Sequence, residues 1–397
     1  MSTTPDVFIV GAARTPIGKF LGGLSSLKAS DLGAIAIREA MARAGVSGDQ
    51  VDEVLMGHVV QGGQGQAPAR QAQIKAGISP VVGAVTINKV CGSGLKAVMM
   101  GAQAIKAGDA ECVVAGGQES MSTAPHYLMN GRTGQKLGDT TLKDGAIMDG
   151  LWCSFNDCHM IELAQYTVEK AGLKRSELDE FSAQSHQKAA AAWAACRFSK
   201  EVVPVRIPQR KGDPIVIDKD ESIRPDTTAA TLAKLAAVTR DKGGAITAGN
   251  APGLNDGGAA LVLMSEARVK QSGAKPLARI RGYATGGGEP KDLFFAPIDA
   301  VEKLMKKLGV QIDVFDRIEA NEAFAAQALA DGKALGWDWD RVNVNGGAVA
   351  LGHPIGASGA RVLVTLLSAL EQANKTQGLA TLCLGGGNAV ALAVERV

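Results

Sequence analysis

The 397-residue sequence lacks several features that mark specialised classes of protein. Basic and acidic residues nearly balance, at 42 and 40, so no global basic field points to a nucleic-acid partner. No uninterrupted apolar run is long enough to cross a membrane. The N-terminus shows no basic, apolar or Arg-rich leader. The six cysteines, at positions 91, 112, 153, 158, 196 and 383, form no disulfide-scaffold pattern. We therefore expect a cytoplasmic protein with no membrane or nucleic-acid partner.

Aromatic side chains are also scarce, at 4% of residues, whereas glycine occurs 49 times. This balance predicts tight turns and close contacts between backbones. The apolar fraction of 46% is ordinary for a globular protein. The length predicts two or more units with their own cores.

Short β-branched runs alternate with longer helical segments along the chain. The alternation predicts an α/β fold with a mainly parallel sheet and helical crossovers. The predicted strands are 7–10, 53–60, 85–90, 111–115, 260–264, 277–283, 317–320 and 380–384. The predicted helices are 30–44, 95–107, 177–198, 299–307, 322–335 and 359–373.

One pattern occurs twice: a small-Ser-Gly turn, a helix, a strand and a glycine pair. It starts at Gly92-Ser93-Gly94-Leu95 and again at Ala357-Ser358-Gly359-Ala360. Two related α/β halves explain the preserved order, and chance similarity is the alternative. We predict an N-terminal half from residues 1–120 plus 243–272 and a C-terminal half from residues 273–397. Residues 121–242 are polar and rich in turns, which predicts an inserted loop domain for substrate binding and oligomer contacts.

Cys91 stands where an apolar run meets a glycine-flanked serine and then a helical segment. A thiol at a strand-to-helix turn lies beside the free N–H groups of the helix start, which favours the thiolate nucleophile. Most free cysteines are buried core residues instead, and this segment alone does not decide between the two.

Three further segments carry reactive side chains in turn-like contexts. His353 lies in a glycine-rich loop before a helix, where its ring can serve as an acid or base. Cys383 precedes Gly385, whose backbone N–H is free to bind an oxyanion; a buried core cysteine is the alternative reading. Asn321 stands before a helix, where such residues are commonly N-caps.

Together these segments resemble the thiolase family over essentially the whole chain. The matching motifs follow one order: Arg14-Thr15-Pro16-Ile17-Gly18, Asn88 to Ala97, Gly116 to Ser122, Ala248-Gly249-Asn250, Asn321 to Phe324, the His353 loop and the Cys383 segment. The resemblance implies a thiolase-like fold, in which two related α/β halves pack as αβαβα layers with an inserted loop domain.

The resemblance also implies roles for these residues in a reversible Claisen condensation of two acyl-CoA molecules. Cys91 would carry the acyl group, and His353 would take the thiol proton. Cys383 would remove the α-proton of the second substrate. Asn321 would orient a water that completes one oxyanion site with His353, and the N–H groups of Cys91 and Gly385 would form the other.

Substrate contacts and partners follow from the same resemblance. CoA thioesters are the substrates, and no metal or tightly bound cofactor is required. A homodimer or homotetramer is expected, with residues 127–143 as a contact loop. The candidate substrate and CoA contacts are Leu151, His159, Met160, Arg224, Ala248, Pro252, Leu254, Leu293, Ala323 and Phe324.

The sequence departs from short-chain thiolases at loops that face the substrate. Ile161 replaces a usual Gly, Pro252 replaces a common Ser, Leu293 to Pro297 is bulkier than usual, and Asn388-Ala389 replaces Met-Gly. None of these is one of the four catalytic side chains. They leave open the acyl chain length, and with it a 3-ketoacyl-CoA thiolase of broader range.

Other functions explain less of the chain. A ketoacyl-synthase-type enzyme usually pairs its cysteine with two histidines, or with His plus Asn, whereas a second cysteine, Cys383, stands here. A Cys-His-Asn peptidase gives Cys383 no role. A non-catalytic acyl-CoA-binding relative would not need Cys91, His353 and Cys383 together, but the substituted loops leave this alternative open. A zinc site at Cys153, Cys158 and His159 lacks a fourth ligand at suitable spacing.

Overall fold

The computed structural model describes residues 5–241 and 243–397. Two sequence predictions touch residues outside these ranges. Residues 1–4 belong to the segment without a leader pattern, and Lys242 is the predicted end of the insertion.

Within the described residues, ten strands form one sheet in the order β14-β15-β16-β13-β1-β12-β5-β3-β4, with β2 paired to β12. Three two-stranded hairpins, β6-β7, β8-β9 and β10-β11, lie outside it. Numbered in chain order, β1 to β16 are Val7–Arg14, Gly18–Lys19, Glu53–Gly57, Gly83–Ile87, Cys112–Ser120, His126–Tyr127, Lys143–Asp144, Trp152–Cys153, Cys158–His159, Val205–Ile207, Ile215–Ile217, Asn255–Ser265, Ala278–Gly287, Arg317–Ala320, Gln377–Leu384 and Asn388–Arg396.

The α-helices, α1 to α11 in chain order, are Ala29–Ala44, Pro68–Ala76, Ser93–Ala107, Met160–Ala171, Arg175–Ala194, Ala229–Leu232, Glu266–Ser272, Ala296–Leu308, Ala325–Leu335, Ala348–Leu351 and Ile355–Gln372. Short 3₁₀ turns occur at Met121–Thr123, Pro290–Phe295 and Ile312–Val314. A π-helical turn occupies Ile147–Leu151.

The prediction of a mainly parallel sheet is wrong. In the large sheet only the pairings β3-β4, β3-β5 and β14-β15 are parallel among the described residues. The others are antiparallel, because β12 returns from the insertion to run between β1 and β5. In the C-terminal half β16 runs antiparallel between β13 and β15.

The predicted αβαβα layering is confirmed. Helices α1 and α2 cover one face of the N-terminal strands, where a separate apolar cluster forms. Helices α3 and α11 pack on each other and on strands of both halves, so they make the central layer. Helix α8 covers the outer face of β13, β15 and β16. The two halves of the sheet join where β1 pairs with β13.

The two central helices begin at the repeated small-Ser-Gly turns. Gly94 of α3 and Gly359 of α11 face each other so closely that a Cβ at Gly94 would lie 2.7 Å from the Ala360 nitrogen. A Cβ at Gly359 would likewise collide with the Leu95 nitrogen. Glycine is required at this crossing because it lets the two helix starts touch through their backbones.

Candidate active site

A largely apolar cavity of about 330 Å³ lies at the start of the two central helices. Twelve of the fifteen residues that the sequence proposed for the site line it. They are Cys91, Leu151, His159, Met160, Pro252, Leu254, Leu293, Ala323, Phe324, His353, Cys383 and Gly385. Arg224 and Ala248 instead line an adjoining cleft, which shares Ala251, Gly253 and Leu254 with the cavity. Asn321 is fully buried beside His353.

Cys91 is held in the short turn between β4 and α3. Val90 adopts a φ of +47°, a strained conformation for a β-branched residue. The hydroxyl of Ser93 accepts a hydrogen bond from the Lys89 N–H at 2.8 Å and donates to the Val90 carbonyl at 2.6 Å. These bonds fix the turn, so the sulfur of Cys91 stays at the cavity wall.

The helix start acts in the predicted direction on Cys91, toward the thiolate, but burial of the thiol outweighs it. Burial raises the pKa of this thiol to about 12, although the backbone N–H groups of Gly385 and Cys91 act in the opposite direction. Glu119 adds a further upward contribution to the pKa of Cys91 through its negative charge. The raised pKa favours the neutral thiol at Cys91 near physiological pH.

His353 is oriented by its own loop. Its backbone N–H donates to Asn255 Oδ1 at 2.8 Å, and its Nδ1 lies 2.6 Å from the hydroxyl of Ser358. That hydroxyl donates its proton to the Pro354 carbonyl at 2.9 Å, so the proton between the two side chains belongs to Nδ1. Nε2 is then left unprotonated. Burial lowers the pKa of His353 to about 3, with Arg361 as the second cause.

Asn321 follows β14 and is not an N-cap. The next helix, α9, begins at Ala325, and its cap residue is Phe324. The amide nitrogen Nδ2 of Asn321 lies 3.5 Å from His353 Nε2. The side chain therefore contacts His353 behind the cavity wall and does not cap the helix.

Cys383 is the last-but-one residue of β15, which ends directly before Gly385. Burial raises the pKa of the Cys383 thiol well above its ordinary value, and the neighbouring Cys91 adds to that effect. The backbone N–H of Gly385 reaches the sulfur of Cys91. The repeated strand end thus places a second thiol and a backbone donor next to the first.

The substituted loops border the same cavity. His159 caps α4, its Nδ1 accepting the Ile161 N–H at 3.1 Å. Burial lowers the pKa of His159, so its ring is neutral at physiological pH. The rings of Phe294 and Phe324 meet edge to face with 5.3 Å between their centroids. Together with Pro252 they give this end of the cavity an apolar surface.

Two buried glutamates that support the site escaped the sequence prediction. Glu119 accepts hydrogen bonds from the backbone N–H groups of Val59, Val60 and Gly356. It thereby ties the end of β5 to the loop of His353. Both residues lie in motifs that resemble the thiolase family, Glu119 in Gly116 to Ser122 and Glu322 in Asn321 to Phe324. Their structural role becomes visible only from their burial and hydrogen bonds in the folded protein.

Glu322 makes the matching connection in the C-terminal half. Its carboxylate accepts hydrogen bonds from Asn343 Nδ2, the Ser185 hydroxyl and the Val349 N–H. Carboxylates that accept several hydrogen bonds remain ordered although they are buried. Glu322 therefore connects the loop of Asn321 to the loop of His353 by hydrogen bonds.

In the described part of the chain, no group of three or more His, Cys, Asp or Glu side chains is arranged to hold a metal ion. No described helix combines the length and apolar character needed to cross a membrane. All six cysteines are free thiols.

Comparison with known proteins identifies relatives over the full chain. The thiolase N-terminal domain matches residues 7–267, and the thiolase C-terminal domain matches residues 274–396. An acetyl-CoA acetyltransferase from Pseudomonas aeruginosa is 54% identical, covering 98% of this chain and 99% of the relative. One from Cupriavidus necator is 53% identical, with the same coverage of both chains. The crystal structure of the Bacillus anthracis acetyl-CoA acetyltransferase superposes with a TM-score of 0.97 at 41% identity, covering 100% of both chains.

Proposed function

The chain belongs to the thiolase family, and we propose on that premise that it is an acetyl-CoA acetyltransferase. It joins two acetyl-CoA molecules reversibly into acetoacetyl-CoA and free CoA through an acetyl-Cys91 intermediate. The observation that carries the proposal is the cavity wall, where Cys91, Cys383 and His353 meet the backbone N–H of Gly385. CoA thioesters are the substrates, and the proposed chemistry requires no metal or tightly bound cofactor.

The first half-reaction transfers an acetyl group to Cys91. The unprotonated Nε2 of His353 takes the thiol proton as the sulfur attacks the thioester carbonyl. The developing oxyanion is bound by the backbone N–H groups of Cys91 and Gly385. CoA leaves as a thiolate and receives the proton back from His353. The Cys91 thiol is neutral before this step and the imidazole is neutral before and after it, which agrees with the raised pKa of Cys91 and the lowered pKa of His353.

The second half-reaction forms the carbon–carbon bond. Cys383 passes its proton to Nε2 of His353 and, as a thiolate, removes the α-proton of the second acetyl-CoA. The enolate oxygen is stabilised by His353, now protonated on both nitrogens, and by a water that the amide of Asn321 orients. The enolate carbon attacks the acetyl group on Cys91. The departing Cys91 thiolate recovers the proton from His353, so every group returns to its starting state.

The substrate occupies both the apolar cavity and the adjoining cleft. The acyl group lies in the apolar cavity between His159, Met160 and Phe324. Arg224 and Ala248 line the adjoining cleft and bind the CoA portion, because the shared wall at Leu254 gives an extended ligand a continuous path. The bulky Phe294 favours short acyl groups.

The proposal extends to assembly and location. The pairing of β6 with β7 leaves residues 128–142 as an exposed excursion, which we propose as the contact loop of a homodimer or homotetramer. Six free thiols suit a reducing compartment such as the cytoplasm.

The test separates the two half-reactions. Incubation with acetyl-CoA alone should add one acetyl group to the Cys91 peptide in a mass spectrum, and Cys91→Ser should remove this adduct. Cys383→Ala should still form the adduct but lose at least about 100-fold in acetoacetyl-CoA formation, since it lacks the base for the α-proton. Absence of an adduct on Cys91, together with no CoA-dependent cleavage of acetoacetyl-CoA, would refute the proposal.

A further inference from the structure

Arg361 is a buried cation directly behind the proposed catalytic groups. It lies on α11, between Ala360 and Val362 of an otherwise apolar stretch, and only 1% of its surface is exposed. Its Nη2 donates to Asn321 Oδ1 at 3.3 Å. The mechanism described above assigns it no role.

The guanidinium determines which way the Asn321 amide points. Every nitrogen of an arginine side chain is a donor and none accepts, so the Asn321 atom that faces Arg361 must be the carbonyl oxygen. The amide NH₂ is thereby directed at His353 Nε2, 3.5 Å away. With the amide reversed, a carbonyl oxygen would face the place where negative charge develops on the enolate.

The surroundings of Arg361 compensate only part of the energetic cost of burying its charge. Its nearest carboxylate, Glu319 Oε2, lies 3.7 Å from Nη1, beyond hydrogen-bond distance. Glu322 and Glu201 favour its charge from further away, and Arg14 opposes it. Burying a charge costs several kcal/mol of desolvation, and apolar side chains of similar size often replace a whole buried ion pair without loss of stability. A functional reason for the cation therefore fits better than a structural one.

We propose that Arg361 is a positioning residue for the condensation step. It holds the Asn321 carboxamide with its NH₂ toward His353, so that the donors for the enolate oxygen are aligned before the second substrate arrives. The inference rests on the proposed thiolase activity. It concerns only the second half-reaction, since the oxyanion of the first is bound by backbone N–H groups.

The experiment is a double-mutant cycle with Arg361→Met, Asn321→Ala and the double variant. Arg361→Met should lower the rate of acetoacetyl-CoA formation about 10- to 100-fold, as expected for a misplaced catalytic group. Formation of acetyl-Cys91, followed by mass spectrometry, should change by less than about threefold, because this step does not use the Asn321 amide. In the Asn321→Ala background, Arg361→Met should add less than about a twofold loss, because Arg361 acts through Asn321.

A structural role gives a different pattern. The losses of the two substitutions would then multiply, or acylation and condensation would fall together, and either result would overturn the proposal. Glu319→Gln is the matched control, because it alters the buried partner but leaves the contact between Arg361 and Asn321. Condensation by this control should stay within about threefold of the wild type.

Two further outcomes keep the tests distinct. If Arg361→Met does not fold, Arg361→Gln replaces it in the cycle, since a glutamine amide keeps a polar group in the core but, unlike a guanidinium, can present either a donor or an acceptor to Asn321. A wild-type protein that forms no acetyl-Cys91 would defeat the proposed function itself. If Arg361→Met condenses as fast as the wild type, only the positioning role is refuted.

Discussion

At the level of single residues, Cys91 owes its proposed reactivity to where the chain places it and not to a resting charge. The strained φ of Val90 and the hydroxyl of Ser93 aim the sulfur at the cavity. Burial keeps the proton on the sulfur, whereas many reactive cysteines are held as thiolates by neighbouring cations. The neutral Nε2 of His353 supplies a base nearby, so the thiolate forms only when a substrate can use it.

The pH dependence of Cys91 alkylation tests this resting state. Only the thiolate reacts with iodoacetamide. Since burial raises the pKa of Cys91 to about 12, the alkylation rate should rise about tenfold per pH unit from pH 7 to 9.5 without a plateau. The measurement is the modified fraction of the Cys91 peptide against time, at pH values where circular dichroism confirms the native fold.

Two controls define what the alkylation profile means. A free thiol of ordinary pKa, such as glutathione, should level off near pH 8.5 to 9.5 under the same conditions. A plateau for Cys91 below about pH 8 would show a preformed thiolate and would contradict the neutral thiol–imidazole pair.

The sequence could predict which reactive residues line the cavity, but not how they are held. Cys91, His353 and Cys383 stand beside glycine turns that repeat in one order, so their convergence on a cavity follows from local patterns. Arg361 lies 40 residues from Asn321 in the chain, inside an apolar helix, so only the folded structure reveals their contact. The pKa of a buried group likewise depends on neighbours that a local pattern does not contain.

At the level of helices and strands, strong periodicity predicted most elements of the central layers, with ends shifted by a few residues. The strand predicted at 85–90 ends at Ile87, because the chain turns through Val90 to place Cys91. The strand Asn388–Arg396 was missed, although a glycine turn separates it from Gln377–Leu384. Gly386 and Gly387, both with positive φ, reverse the chain there into an antiparallel pair. The alternation of strand-like and helical segments contains no signal for this reversal, so on its own it predicts a mainly parallel sheet.

The helix crossing at Gly359 gives a prediction at this level. Gly359→Ala should lower the free energy of unfolding by about 1–3 kcal/mol, because the new Cβ would collide with the backbone of Leu95 in a well-packed core. Chemical denaturation with urea measures this loss. The intrinsic helix preference of alanine acts in the opposite direction by about 1 kcal/mol, so a net loss identifies the crossing as its cause.

The matched control for the crossing is Gly288→Ala, where a new Cβ would meet nothing within 4 Å. Its stability should change by less than about 0.5–1 kcal/mol. Equal effects of the two substitutions would argue against a close contact between α3 and α11.

At the level of the whole molecule, one buried ion cluster connects three parts of the chain. Arg14, at the end of β1, makes a bidentate pair with Asp220 and donates to Glu201 at 2.7 Å. Glu201 also accepts a hydrogen bond from Thr365 of α11. The inserted segment is thereby tied to the sheet and to the central layer.

Removing the shared cation should weaken all three connections at once. Arg14→Met leaves Asp220 and Glu201 buried without their partner, so the free energy of unfolding should fall by about 3–5 kcal/mol at pH 8. Lys303→Met is the surface control, because its exposed pair with Asp299 should contribute less than about 1 kcal/mol. Urea denaturation monitored by tryptophan fluorescence compares the three proteins.

The loss caused by Arg14→Met should also depend on pH in a defined direction. Burial already raises the pKa of Glu201 in the native protein, and Arg14 opposes that rise. Without Arg14 the folded-state pKa of Glu201 rises further, so the folded protein holds this proton more tightly than the unfolded chain does. The stability that a carboxyl group with a raised pKa contributes is present at low pH. It is lost as the pH rises through the pKa of that group in the folded protein. The deficit of Arg14→Met should therefore be smaller at pH 5 than at pH 8. A deficit that is equal at both pH values would mean that lost packing, and not the unpaired carboxylates, causes the destabilisation.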